Sequence, residues 1–418
     1  MALSVARRVS SLQPSATIAM ANRAKALTRQ GREILQFTLG EPDFDTPRQI
    51  KQAAIDALLA GQTKYMPTLG DPETRAVIAA KLRTENGLAG VTPEHIAITS
   101  GGKHALYNLF QCLFDHTCPG EAPREFILQT PSWVSYAPIA RLAGAEVVEV
   151  HTTVESDFKM TPAQLRQAIT PRTRAVMLNS PSNPCGTMYT ESELRDIAAV
   201  LVDAAVSIAP DLVVISDEIY EKIIFGGIAH FSIGSIPQLA ERTVTVNGLS
   251  KAYAMTGWRA GYAAAQGEFG LRLINALGTL QGQMSTNITS FVYPAIRAAL
   301  TQCADDVESM RAAFARRAVV MTERLSGLPQ VQTPRPTGAF YAFPDISAAF
   351  GKTTPTGRII RSSVDFCEAM LEEIGLAAIP GEEFGGIGRN HIRLSFACSE
   401  ETIHRGIDLM SKFLSDLR

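Results

Sequence analysis

The chain has 418 residues, 46% of them hydrophobic and 19% charged, and its 39 basic and 41 acidic residues leave a formal charge of −2. That length and apolar content exclude a disordered chain, and a core of this size needs no staples. The near-neutral balance lacks the general electrostatic signature of a nucleic-acid binder. None of the six cysteines falls in a C-x-x-C pair or at zinc spacing with histidines. Scattered cysteines in a chain of this size predict a reduced, cytoplasmic protein. The first eleven residues are too polar for a secretory signal. No stretch of about 20 apolar residues is free of charge, so no membrane span is expected either.

Taken along the chain, short apolar runs alternate with helical patterns. Strands are expected at 96–98, 126–128, 146–150, 175–178, 213–215 and 244–246, several of them Val/Ile-rich without polar alternation, as buried parallel strands are. Between them, Leu106, Leu109, Phe110 and Leu113 make one helical stripe. The alternation predicts an α/β fold with a mostly parallel central sheet and helices on both faces. The last hundred residues predict a helix at 307–325, a strand at 338–343, a helix at 364–374 and a strand at 391–397. These make a smaller α+β domain that the N-terminal segment joins. The expected division is a large domain at 48–310 and a small one from 1–47 and 311–418.

Four features stand just beyond expected strands. Ser100-Gly101-Gly102-Lys103 precedes the Leu106 helix, where small residues and a helix N-terminus suit a phosphate. An ordinary strand-to-helix turn is the alternative. Asn179-Ser180-Pro181-Ser182-Asn183-Pro184-Cys185-Gly186 is a rigid loop by its X-Pro steps. A structural turn explains its Pro and Gly but not Asn183. Ser216-Asp217-Glu218-Ile219-Tyr220 puts an acid and a phenol where α/β sheets bind ligands, although Asp217 would also serve as a helix cap. Ser250-Lys251 carries a lysine that would suit a Schiff base once desolvated, and Arg259, eight residues on, would clamp an anion with its planar fork. Taken alone, that lysine and arginine are better read as solvated loop residues. The familiar G-x-G-x-x-G, G-x-x-x-x-G-K-[ST], H-E-x-x-H and G-x-S-x-G signatures are missing. Phosphate cup, amine, acid and phenol at successive strand ends are the parts that a pyridoxal 5′-phosphate (PLP) site needs.

With Asn183-Pro184-x-Gly186, Asp217-x-x-Tyr220 and Ser250-Lys251 followed by Arg259, the sequence resembles the class I aminotransferases of PLP fold type I. It is closest to the bacterial branch that contains aspartate and prephenate aminotransferases. The resemblance runs from Leu39-Gly40-Glu41-Pro42-Asp43-Phe44 to His391-Ile392-Arg393-Leu394-Ser395. It implies Lys251 as the Schiff-base lysine and proton carrier, and Asp217 as the acid facing the pyridine nitrogen. Tyr220 and Asn183 would bond the ring's 3-oxygen, and Trp133 would stack on the ring. Arg259, Ser250, Gly101, Gly102 and Lys103 would surround the phosphate. Arg393 and Gly40 would meet the substrate α-carboxylate, and Tyr65 would reach the phosphate of a neighbouring subunit, which implies a homodimer. Small-molecule amino acids and 2-oxo acids are the implied partners, with no nucleic acid and no membrane.

The stretch 280–287 lacks the arginine that reads a distal carboxylate in animal and enteric aspartate aminotransferases. Lys103 and Thr17 match the lysine and threonine that the bacterial branch uses instead, so the expected reaction moves an amino group from aspartate to 2-oxoglutarate. Lys103 would alternatively serve only the phosphate. Met66 and Met284 stand where smaller or polar residues are usual, which would reshape the pocket. The other readings are transamination of aromatic amino acids or prephenate, a PLP lyase or synthase, and a PLP-sensing regulator. The last is disfavoured by Arg393 and by the lack of a DNA-binding extension before Leu39.

Overall fold

A computed structural model describes residues 5–10, 12, 16–115 and 121–418, the side chains of 16–18 excepted. In chain order its strands are β1 (Leu35–Gln36), β2 (Ile96–Thr99), β3 (Glu125–Thr130), β4 (Glu146–His151), β5 (Thr173–Asn179) and β6 (Val213–Asp217). They continue with β7 (Thr243–Gly248), β8 (Gly261–Ala265), β9 (Tyr341–Ala342), β10 (Leu376–Ala377), β11 (Ile379–Pro380) and β12 (Ile392–Ser395). Seven of them form one sheet in the order β2-β8-β7-β6-β5-β3-β4. The run from β7 to β4 is parallel, and β8 is antiparallel to both β7 and β2. The carboxyl ends of β2, β3, β5, β6 and β7 therefore share one edge of the sheet.

The strands alternate between two apolar layers, as period-2 side chains must. Ala175 and Met177 of β5, with Val213 and Ile215 of β6, pack with Leu106, Phe110 and Ile274 on one face. Val176, Leu178 and Val214 pack with Leu165, Leu194, Ile197 and Leu201 on the other. The two helices on the second face, Pro162–Ala168 and Glu191–Ser207, start with capping boxes. Thr190 caps Glu191–Ser207 by accepting from Glu193 N, and the Glu193 carboxylate returns the bond to Thr190 N.

A separate apolar cluster joins Phe314, Met321, Phe340, Phe366, Ile392, Ile403 and Met410. Around it lie the sheet β11-β12-β9, the parallel pair β1-β10 and the helix Glu400–Asp416. Position 48 is the first residue of the helix Arg48–Leu59, and position 310 falls inside the helix Ala304–Ser326. Among the described residues, no helix is long and apolar enough to cross a membrane.

The structure departs from the sequence reading in several elements, among them the short unexpected strands β1, β10 and β11. The strand β8 is an addition: Gly-Tyr-Ala-Ala-Ala has little strand preference, and the sheet recruits it by enclosing it between β2 and β7. The expected strand at 338–343 narrows to β9, because Ala339 takes a positive φ of 55° and turns the chain. The expected helix at 364–374 is Ser363–Ala369 followed by a wider π turn, Met370–Ile374, which Gly375 ends in a left-handed conformation.

Candidate active site

The shared edge opens into a cavity of about 370 Å3, lined by residues from every strand end named above and by Arg393 of β12. This is the crevice in which open α/β sheets bind ligands. Lys251 and Arg259 lie on one loop, between the antiparallel β7 and β8, closed at its neck by Leu249 N donating to Ala260 O at 3.1 Å. Arg259 takes a φ of 57°. Its Nη1 donates to Thr256 O at 2.9 Å and its Nη2 to Ser100 O at 3.4 Å, which lays the guanidinium across the start of the helix Gly102–Leu113. Gly101 has a φ of 84°, and a Cβ there would stand 2.6 Å from Arg259 Nη2. Only glycine lets that guanidinium approach so closely. The unpaired N–H groups of a helix start and an arginine fork thus converge on a point suited to a phosphate.

Lys251 Nζ donates to Gly40 O. Burial and the nearby Arg393 hold its ammonium well below the ordinary lysine range, at about 8. Asp217 ends β6 and is buried; burial raises its pKa to about 6, opposed by the hydrogen bond that Tyr136 Oη donates to Oδ2 at 2.7 Å. Ile219 N donates to Oδ1 at 3.3 Å. Asp217 therefore does not cap a helix; it faces the cavity. A buried acid of this kind is stabilised as an anion by a cation placed before it, which fits the protonated ring nitrogen of PLP. Tyr220 Oη is 2.8 Å from Tyr341 Oη, and burial pushes both phenols up.

Arg393 is buried. Its Nη1 donates to Asn183 Oδ1 at 3.0 Å, its Nη2 to Thr38 O at 2.9 Å, and its Nε has no partner. Burial lowers its pKa, but an arginine stays charged. Spare donors on a buried guanidinium suit a carboxylate. Asn179 fixes the loop that carries Asn183: its Oδ1 accepts from Asn183 N at 3.0 Å and its Nδ2 donates to Asp217 O at 3.1 Å. Lys103 Nζ lies 4.8 Å from the centre of the Trp133 ring. Burial and then Arg259 lower its pKa.

Gly40, Gly102, Lys103, Trp133, Asn183, Asp217, Tyr220, Ser250, Lys251, Arg259 and Arg393 all line this one cavity. Gly101 stands beside it, under Arg259. Tyr65 does not line it; the residue is 87% exposed. Thr17 lies in the helix Ala16–Arg29, and its side chain is outside the described residues. Tyr136, Tyr341 and Asn179 are cavity residues that the sequence reading missed. Tyr136, three residues beyond Trp133 at the start of a helix, carries the only spacing signal among them.

Residues 32–409 match the family of aminotransferases of class I and II. The chain is 41% identical over 413 residues to the aspartate/prephenate aminotransferase of Thermus thermophilus, covering 98% of each chain. It also matches the solved structure of Thermus thermophilus aspartate aminotransferase with maleate, at 40% identity and a TM-score of 0.88, over 99% of this chain and 100% of that one. The aspartate aminotransferase structure from Rhizobium meliloti matches at 35% identity and a TM-score of 0.92, with 100% of both chains covered.

Proposed function

This chain belongs to the class I and II aminotransferases, and from that premise we propose that it moves the amino group of aspartate to 2-oxoglutarate with PLP as cofactor. The observation that carries the substrate is the pair of cations lining one cavity, Arg393 beside Asn183 and Lys103 beside Trp133. One would take the α-carboxylate through a fork and the other a distal carboxylate as a point charge. The maleate carried by the Thermus thermophilus enzyme is likewise a dicarboxylate. Prephenate is the second reading, favoured by the apolar lining of Leu106, Val134 and Ile219 and by the name of the Thermus relative.

When bound, PLP supplies a carbonyl carbon for the amine and an electron sink for the carbanion. Arg259, Ser250 and the Gly101–Lys103 backbone would hold its phosphate, and Trp133 its ring face. Asp217 would keep the ring nitrogen protonated, while Tyr220 and Asn183 would bond the 3-oxygen. The freed Lys251 Nζ would take the proton from the substrate Cα and return it on the far side of the transfer. Donor and acceptor would share Arg393 and one cavity, so they enter in turn and the kinetics are ping-pong.

The same reading takes 48–310 as the PLP-binding body and 1–47 with 311–418 as the small domain, supported by the separate apolar cluster around Phe340 and Phe366. It makes the enzyme a cytoplasmic homodimer in which the partner subunit's Tyr65 completes each site. The test is a half-reaction screen that follows the absorbance of bound PLP across amino acids. Aspartate should react fastest, and Lys103→Ala should slow aspartate by about 10–100-fold more than phenylalanine, the worth of one charged hydrogen bond. Equal losses on both substrates would overturn the dicarboxylate assignment and leave Lys103 to the phosphate.

A further inference from the structure

The turn after β6 has two faces. Asp217 and Tyr220 line the cavity, whereas Glu218 and Glu221 bond to groups behind it. Glu218 is buried and its carboxylate is saturated. Oε1 accepts from Ser216 Oγ at 2.8 Å and from Ser232 Oγ at 2.6 Å. Oε2 accepts from Asn86 Nδ2 at 2.9 Å and lies 3.1 Å from His230 Nε2. Asn86 Nδ2 also donates to Glu221 Oε2 at 2.6 Å, and the buried Lys81 is paired with Glu221 while donating to Asn86 Oδ1 at 2.8 Å.

Charge decides the role of the imidazole. Lys81 is committed to Glu221, so the counter-charge for Glu218 is His230, whose side chain is only 11% exposed. Nearby, Glu85 pairs with Lys222 at 2.6 Å and reaches Lys81 at 3.7 Å, Arg311 pairs with Glu308 at 2.6 Å, and Glu221 Oε2 lies 4.0 Å from His230 Nε2. Tyr253 and Tyr262 face the cluster as neutral phenols, with burial pushing both up. Burial works against a charged imidazole, but Glu218 and Glu221 more than offset it and raise His230 above its ordinary value. Glu218, one residue from Asp217, adds to the burial that opposes ionisation of Asp217.

We propose that His230, acting through Glu218, is a positioning residue for transamination: in its protonated form it cancels the Glu218 charge and so keeps Asp217 anionic toward the cavity. The proposal rests on the reading of Asp217 as the acid that faces the cofactor ring. A unit charge several ångströms away, in an effective dielectric of about 20, moves a carboxylate by about one pH unit.

The test titrates the full-length chain labelled with 13C at aspartate carboxyls, with the Asp217 signal assigned through Asp217→Asn. His230→Gln keeps an N–H donor toward Glu218 and removes the charge, so the Asp217 titration should move up by about one pH unit. Adding Glu218→Gln should return it to the wild-type value or below, a rescue that a merely structural role does not give. No shift in His230→Gln, or a shift that persists in the double variant, overturns the proposal. Should His230→Gln fail to fold, the wild-type chain decides: the Asp217 signal must show a second inflection at the titration of His230, followed through 15N-labelled histidine, and its lack is equally fatal. In the loaded enzyme the absorbance titration of bound PLP should follow the same order. A wild-type chain that takes up no PLP would refute the functional reading instead, because the carboxyl titration needs no cofactor.

Discussion

Lys251 and Asp217 are pulled toward neutrality from opposite sides, the amine down to about 8 and the acid up to about 6, each chiefly by burial. Both shifts are what a site pays for exchanging water for a cofactor. In the proposed reaction the neutral amine of Lys251 is the nucleophile, so uptake of PLP by the free chain should accelerate as pH rises and level off above about 8. Stopped-flow absorbance would follow it, and a rate flat from pH 6 to pH 10 would contradict the assignment of Lys251. Lys251→Ala should leave all PLP removable after borohydride treatment and slow transamination by at least about 10²–10⁴-fold, the range of a lost acid–base group. Alone, Lys251 reads as a loop residue and Asp217 as a cap; they were legible because amine, acid, phenol and phosphate cup follow successive apolar strands. Tyr136 and Tyr341 were not, because a tyrosine beside apolar neighbours reads as core until its hydroxyl is seen meeting Asp217 or Tyr220.

Among the elements, the loop after β5 depends on Gly186. Its φ is 71°, and a Cβ there would stand 2.2 Å from Tyr341 O. Thr337 N and Gly338 N both donate to Gly186 O, at 2.8 and 2.9 Å, which joins the Asn183 loop to the segment that leads into β9. Gly186→Ala should cost about 1–2 kcal/mol for the left-handed backbone alone. The clash adds to that cost by driving Tyr341 away from Tyr220. Urea denaturation would measure the loss, and a variant as stable as wild type would show that the loop yields freely. The parallel strands β5, β6 and β7 were readable as apolar runs because both of their faces are covered. The strand β8 was not, since three alanines gain their place from their neighbours rather than from their own preference.

At the scale of the whole molecule, Tyr65 is exposed on the single chain, and the proposed homodimer would give it a contact. If each site borrows this tyrosine from its partner, then Lys251→Ala and Tyr65→Ala chains, each impaired alone, should complement on mixing. Only the hybrid dimer holds a site with both residues native, and random pairing would restore about a quarter of the wild-type sites. Activity no higher than the sum of the two variants would assign Tyr65 to its own chain. Tyr65 was recognisable only through the family resemblance, because its expected contact belongs to a second chain. The grip of Arg393 has a reach of a different kind. It already holds Thr38 O near the start of the chain and Asn183 Oδ1 in the middle, from a strand near the end. A carboxylate seated on it would fasten three segments that the backbone leaves far apart, and at 100 times its dissociation constant a ligand stabilises the native state by about 2.7 kcal/mol. Substrate supply would then govern how long each copy survives cellular proteases, so a cell starved of the dicarboxylate would shed the enzyme that consumes it.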